Sequence, residues 1–402
     1  MSDAKQPAGG VSRRNFMKTA GTAAAGVTMA TKFSPFAYAA NEKLRVGLID
    51  TGGQGTHHIR DGLSGTPDLV ITAVCDVFEP HQKAARVYSM ISNAGIALPP
   101  GTAPGDLDAE QKAKAKAAVA PNIYYDYKEM LAEEELDAVI ISTPLHLHAQ
   151  MTLDCLEAGK YVFCEKTMTS TLEESRAIVE KCHEKGLFCA VGHQRRYDPR
   201  YNLAMDLVFN QYQLGRINHI QTQWHRNHYW RRQIPADYEL SERESQYIED
   251  LERHLNWRMY EETSGGLFTE LATHQTDVAN WFMMGVPSRV FASGGIDYWR
   301  DGREVDDNIS IAYTYHQEPS DPGFTTIDKR SRRQSISQIN KGYYVRHEHS
   351  NILANAHGSA REVLQGDYGT LILSELPNVE CVMYAENAMS QNMEAEPGED
   401  DS

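Results

Sequence analysis

The chain has 402 residues, a net charge of -16 and 41% apolar residues. That length exceeds one ordinary core, so two domains are expected, while the acidic balance leaves no basic face for nucleic acid. No apolar run approaches the roughly 20 residues that cross a bilayer, and a small neutral or weakly charged ligand suits such a surface better than a polyanion.

Residues 1–40 read as an address. Arg13 and Arg14 open the pattern SRRNFMK, a weakly apolar Ala/Gly/Thr stretch follows, and Ala37-Tyr38-Ala39 supplies small residues for cleavage. A merely basic, unstructured start is the plainer alternative. The signal implies export in the folded state to the periplasm or beyond, and hence a cofactor collected before export and held tightly. The six cysteines (75, 155, 164, 182, 189, 381) form no Cys-x-x-Cys pair and mostly sit in apolar runs, so free thiols are expected.

From residue 44 the text LRVGLIDTGGQGTHHI joins an apolar strand to a glycine cluster and a helix-like stretch. A second apolar strand over 69–75 ends at Asp76. Strand, Gly-rich turn, helix, strand and acidic end form the opening of a dinucleotide-binding domain. Gly52, Gly53, Gln54 and Gly55 make the turn, with backbone amides offered to a pyrophosphate at the helix start. Asp76 would accept the adenosine ribose hydroxyls and repel a 2′-phosphate, which favours NAD over NADP. A Gly-rich turn alone is often only a turn; the strands around it and Asp76 give it the nucleotide reading. Asp50 stands where the first glycine of the fingerprint belongs.

After a helix over 79–90, residues 91–122 read as a solvated insertion, a Pro/Gly-rich loop leading into an Ala/Lys-rich helix. Strands at 138–141, 161–164 and 187–191 then alternate with helices at 127–133, 148–158 and 171–185, the pattern of a parallel sheet. The run YVFCEKTM over 161–168 delivers Lys166 to the carboxyl end of a strand, where ligands bind in open α/β sheets. Beyond about Gly192 the pattern changes: β-like segments at 217–225, 288–298, 309–315 and 369–373 surround a helix over 271–283. The expected architecture is α/β, an N-terminal Rossmann domain (41–166) followed by an α+β domain (167–390) with an open, mainly antiparallel sheet, and an acidic tail (391–402). One sheet face left free would suit a homo-oligomer. The basic knot at 329–333 reads as a loop in a polar stretch over 317–350.

Lys166 could be an ordinary loop lysine, but its place at a strand end favours function. In GGLFTELATHQTD, Glu270 and His274 lie four apart on a helix, with Asp277 three further on, which suits acid–base work on a hydroxyl. A capped surface helix with ordinary polar pairs would look the same. His146 and His148, like His347 and His349, have an i,i+2 spacing but no further ligand at metal-site spacing, so no metal is expected. Trp224, in an aromatic and histidine cluster over 224–230, reads as a sugar-stacking wall or as half-buried strand aromatics.

These pieces, VGLIDTGGQG, STPLHLHAQMTLDCLEAGKYVFCEKT, GHQRRYDPRY and GGLFTELATHQTDVANW, together resemble the Gfo/Idh/MocA family of nicotinamide-dependent sugar and polyol oxidoreductases over most of residues 43–300. The resemblance implies NAD as cofactor, with Lys166 as catalytic lysine, His274 as acid/base, and Glu270 where the family usually has an orienting aspartate. It matches Arg195, Arg196 and Tyr197 to a segment lining the nicotinamide side. Taken with the residue readings, cofactor contacts are expected from Thr143, Pro144, His148 near the cofactor turn, Glu165, Lys166 and Arg196, and substrate contacts from Arg195, Tyr197, Trp224 and Asp277. Thr167 replaces the family's proline after the lysine, removing the usual route to a cis peptide bond. Three functions follow: oxidation of a sugar, polyol or glycoside hydroxyl; glycoside hydrolysis through transient oxidation at C3 and elimination; or sugar binding on a non-catalytic scaffold.

Overall fold

The structure, a computed structural model, describes residues 43–385 apart from 100, 235, 324–340 and 377–378. The export signal, the basic knot and the acidic tail read from the sequence lie outside these residues. Among the described residues no helix is long and apolar enough to cross a membrane.

The first half builds a parallel sheet from β1 (Leu44–Ile49), β2 (Leu69–Cys75), β3 (Asn122–Tyr124), β4 (Ala138–Ile141), β5 (Tyr161–Cys164) and β6 (Cys189–Val191), in the order β3-β2-β1-β4-β5-β6. The central strands are apolar on both faces because helices cover both. Val46, Leu48, Ile71, Val74, Val139, Ile141 and Val162 are all buried. The chain reverses direction across the sheet between β1 and β4, and that switch point opens the crevice used below.

Two expectations change here. β6 pairs in parallel with β5, so the first layer continues past residue 166 to about 191. The 91–122 stretch is not simply a solvated excursion: Ile91, Ile96, Leu98, Leu107 and Ala115 form a small buried cluster of their own. The edge strand β3 begins at its end, with three residues, too few for any periodicity to show.

The second half is a sheet in the order β13-β12-β11-β7-β10-β9-β8, antiparallel except for the parallel pair of β7 (Ile217–His225) with β10 (Tyr343–Ile352). The others are β8 (Arg289–Gly295), β9 (Asn308–Gln317), β11 (Ala360–Gly366), β12 (Gly369–Leu373) and β13 (Val382–Ala385). The core of this half gathers residues of the sheet with Tyr201, Ala204, Val278, Ala279 and Phe282 from helices 199–209 and 273–283. β10 begins inside the polar stretch 317–350, where no strand was expected. Its inward positions hold His347, His349 and Asn351, all buried, so polar residues stand where alternation would show apolar ones. The Thr222 hydroxyl bridges the two rings, 2.7 Å from His347 Nε2 and 2.8 Å from His349 Nδ1. A hydroxyl can donate to one and accept from the other. Burial pushes these imidazoles down to about 3 and about 4.

Candidate active site

The Gly-rich turn keeps the dinucleotide geometry despite Asp50. Asp50 adopts φ +65°, the left-handed conformation usually left to glycine, which a short polar side chain tolerates by bonding locally. Its Oδ1 accepts the Gly52 amide at 2.9 Å. A Cβ on Gly55 would lie 2.2 Å from the Asp50 carbonyl oxygen, so strand and helix can meet this closely only with glycine there. Asp76 sits at the end of β2 and accepts the Thr51 amide (2.7 Å), the Thr51 hydroxyl (3.1 Å) and the Phe78 amide (2.9 Å). Burial acts to raise the Asp76 carboxyl, but the His81 ring and these amides outweigh it and hold it below its ordinary value. Burial and the Asp76 charge drive Asp50 the other way, up to about 7. Asp50, Asp76 and His81 bring ligand atoms within 4.8 Å of one another, as a cation site would. Those atoms are already engaged with the turn and with each other.

Next to this turn the carboxyl ends of the strands border a cavity of about 620 Å³, lined by Ile49, Asp76, Thr143 and Pro144 from the first half. Its roof comes from the second half, in residues 226–263, with Tyr247, Arg253, His254 and Trp257 facing the cavity. Arg232 and Arg258 join Asp50, Gly52, Gly53 and Gln54 around the adjoining neck. The roof is tied down. The buried Glu244 accepts the Glu79 amide (2.9 Å) and the Tyr238 hydroxyl (2.6 Å), Phe78 packs on Tyr238, and Tyr125 stacks on Tyr247. A cavity of this size lined by the Asp76 carboxylate, with a tight glycine turn and two arginines around its neck, fits a dinucleotide.

Lys166 emerges from β5 beside the π-helical turn Phe268–Ala272, which runs into the helix Thr273–Met283. Its Nζ donates to the Glu270 carbonyl at 2.8 Å and lies 4.0 Å from Glu270 Oε2. Arg258 Nε donates to that Oε2 at 2.9 Å. The Thr167 hydroxyl donates to the Thr269 carbonyl, and the Lys166–Thr167 peptide bond is cis although no proline follows. Burial lowers the Lys166 ammonium, against the pull of Glu270. His274 is buried, 5.1 Å from the Trp224 ring and 6.2 Å from the edge-on His193 ring. Its Nδ1 has no hydrogen-bond partner among the described residues. Burial first, then Arg195, Lys166, His193 and Arg226, hold it well below its ordinary value. The result is a neutral imidazole close enough to a buried ammonium to feel its charge.

Other expected ligands have different roles. Arg195 is only 1% exposed, with Nε 3.1 Å from Glu362 and Nη2 3.3 Å from Glu375, and it packs under Trp224. It supports the Trp224 wall from within the core. Arg196 and Asp277 bind each other through two 2.8 Å bonds, so neither presents a free group, and Tyr197 stands 65% exposed. Glu165 accepts from Gln54 at 2.9 Å and lies 2.8 Å from His58 Nε2, which fixes the turn. Both His148 nitrogens face carbonyl oxygens, of Thr143 and Thr167, tying two loops together. His193, Arg232, His254, Trp257 and Arg258 were not foreseen, and Arg226 only as part of the 224–230 cluster. All but His193, which follows β6, come after β7, with no spacing to mark them.

Two family models match the chain: "Oxidoreductase family, NAD-binding Rossmann fold" over residues 101–193 and "GFO/IDH/MocA C-terminal domain" over 204–319. The chain is 47% identical over 76 residues to scyllo-inositol 2-dehydrogenase (NAD(+)) of Bacillus subtilis, 19% of this chain and 22% of that one. It is 26% identical over 216 residues to a glycosyl hydrolase family 109 protein of Shewanella baltica, covering 49% and 42%. Each of these relatives is thus matched over less than half its own length. Among solved structures, the WlbA dehydrogenase of Bordetella pertussis in complex with NADH and UDP-GlcNAcA superposes with a TM-score of 0.55 at 20% identity, covering 83% of this chain and 75% of that one. That likeness is one of fold.

Proposed function

The chain belongs to the Gfo/Idh/MocA family, with an NAD-binding Rossmann domain, and from that premise we propose that it oxidises a hydroxyl of a sugar, polyol or glycoside with a tightly held NAD. The carrying observation is the convergence of a buried neutral His274 and a buried Lys166 beside the crevice at the strand ends. NAD, when bound, supplies the hydride acceptor. Gly52, Gly53 and Gln54 would hold it with Arg232 and Arg258 at the phosphates, and Asp76 at the ribose end. His274 takes the hydroxyl proton on its ring. Lys166 presents its ammonium to the oxygen on which charge grows, its direction set by the Glu270 carbonyl. Arg258 balances the Glu270 carboxylate. The tied roof supports slow release of the cofactor, as folded export would require; the export address itself is a proposal, tested by localising the wild-type chain and an Arg13/Arg14→Lys variant. The exposed Val290 and Phe291 on β8 support a homo-oligomer through the free side of the sheet, testable by light scattering.

The test is Lys166→Ala, which should abolish reduction of the bound cofactor by sugars while leaving cofactor content intact. Wild-type turnover in that variant refutes the assignment. The match to a glycosyl hydrolase family 109 protein favours a second reading, hydrolysis through transient oxidation and return of the hydride. Release of aglycone without lasting cofactor reduction would identify it.

A further inference from the structure

Arg226 follows β7 two residues after Trp224, so both side chains leave the strand on one face. Its guanidinium lies over the Trp224 ring, 4.6 Å from the centroid, and the same ring is 5.1 Å from His274. The Arg226 amide is bonded to the Ile352 carbonyl at 2.8 Å, which anchors the stem. Three arginines of the site have a carboxylate: Arg195 has Glu362 and Glu375, Arg196 has Asp277, and Arg258 has Glu270. Arg226 has neither a side-chain hydrogen bond nor an ion pair among the described residues. Glu375 acts on it electrostatically but is already bonded to Arg195 and to Gln194 at 2.5 Å. Arg232 and Arg258 border the neck at the Gly-rich turn, whereas Arg226 does not.

A partly buried guanidinium near a buried lysine is unfavourable until an anion joins it. Its planar fork matches a carboxylate with two parallel hydrogen bonds, and the contact with the Trp224 ring restrains the group. Accepting the hydroxyl-oxidising reading above, we propose that the substrate is a sugar acid whose carboxylate is bound by Arg226 beside His274. In a chain of net charge -16 this local positive excess also sets the selection against neutral sugars.

The test compares glucuronate with glucose and galacturonate with galactose on the purified holoenzyme, following reduction of the bound cofactor and, in parallel, quenching of tryptophan fluorescence. The acid of each pair is expected to reduce the bound cofactor with the higher second-order rate constant, by at least about 100-fold, because its absence leaves the Arg226 charge unpaired. Arg226→Met should bring that ratio within about tenfold, and Arg226→Lys, which keeps the charge but loses the fork, should fall between. Cofactor content reports whether each variant is folded. Equal use of acid and neutral sugar by the wild type, or an undiminished preference in Arg226→Met, overturns the proposal. So does a preference for glucose 6-phosphate over glucuronate. Quenching by the acids that is lost in Arg226→Met, without any cofactor reduction, would uphold the carboxylate site while removing the dehydrogenase reading. No response to any acid by either readout would remove the carboxylate site.

Discussion

Asp50 offers a test of the turn that is independent of substrate. Its carboxyl rises from 3.8 to about 7 in the fold, through burial and the Asp76 charge. Between these values the folded chain keeps a proton that the unfolded chain has released, so stability falls as pH rises from about 4 and levels off above about 7. A shift of roughly three units corresponds to about 4 kcal/mol at most, at about 1.4 kcal/mol per unit. About a third of that is already lost by pH 5, which leaves about 2–3 kcal/mol between pH 5 and pH 8. Asp50→Asn keeps the acceptor for the Gly52 amide and tolerates the left-handed backbone, but does not titrate. Denaturant unfolding of both proteins at matched cofactor content, from pH 5 to pH 8, should show the variant gaining on the wild type by about 2 kcal/mol. Groups away from the turn are common to both chains and cancel, while Asp76 and His81, which feel the Asp50 charge, readjust with it. A stability difference that stays constant across this range would show that Asp50 is ionised throughout and the reasoning wrong.

Because His274 is held well below its ordinary 6.5, kcat/KM should stay level as pH drops through 6.5 and decline only well below it, in a pH–rate profile; an acid limb near 6.5 would contradict the buried neutral base. Arg195→Met leaves Glu362 and Glu375 uncompensated and should cost about 3–5 kcal/mol in chemical denaturation. Burial already raises Glu362, so this loss should shrink toward acid pH as the carboxyl takes a proton. Glu244→Ala frees the Glu79 amide and the Tyr238 hydroxyl that tie down the roof, worth about 1–3 kcal/mol. Cofactor release, followed by competition with excess labelled NAD, should then quicken on the order of tenfold; an unchanged rate would separate the roof from cofactor retention.

What was legible in the sequence is what local chemistry enforces. Apolar runs covered on both faces announce the parallel strands, the cramped turn at Gly55 requires glycine, and the strand ending at Cys164 places Lys166 at the mouth of the crevice. The GGLFTELATH run set Glu270 and His274 one turn apart. β10 was illegible because its inward face is polar, satisfied by Thr222 across a parallel pairing that no local pattern announces. The role of Arg195 was likewise hidden, since an arginine read from sequence gives no sign of the two carboxylates, 167 and 180 residues further along, that take it into the core. Sequence alone determined which groups can move a proton or bind a phosphate, because that is fixed by residue type and a few bonds of backbone. Only the tertiary structure decided which of them are buried neutral, which are spent on one another and which are left free. Burial and pairing depend on segments far apart in the chain, and among the described residues they leave Arg226 beside the base without an ion pair.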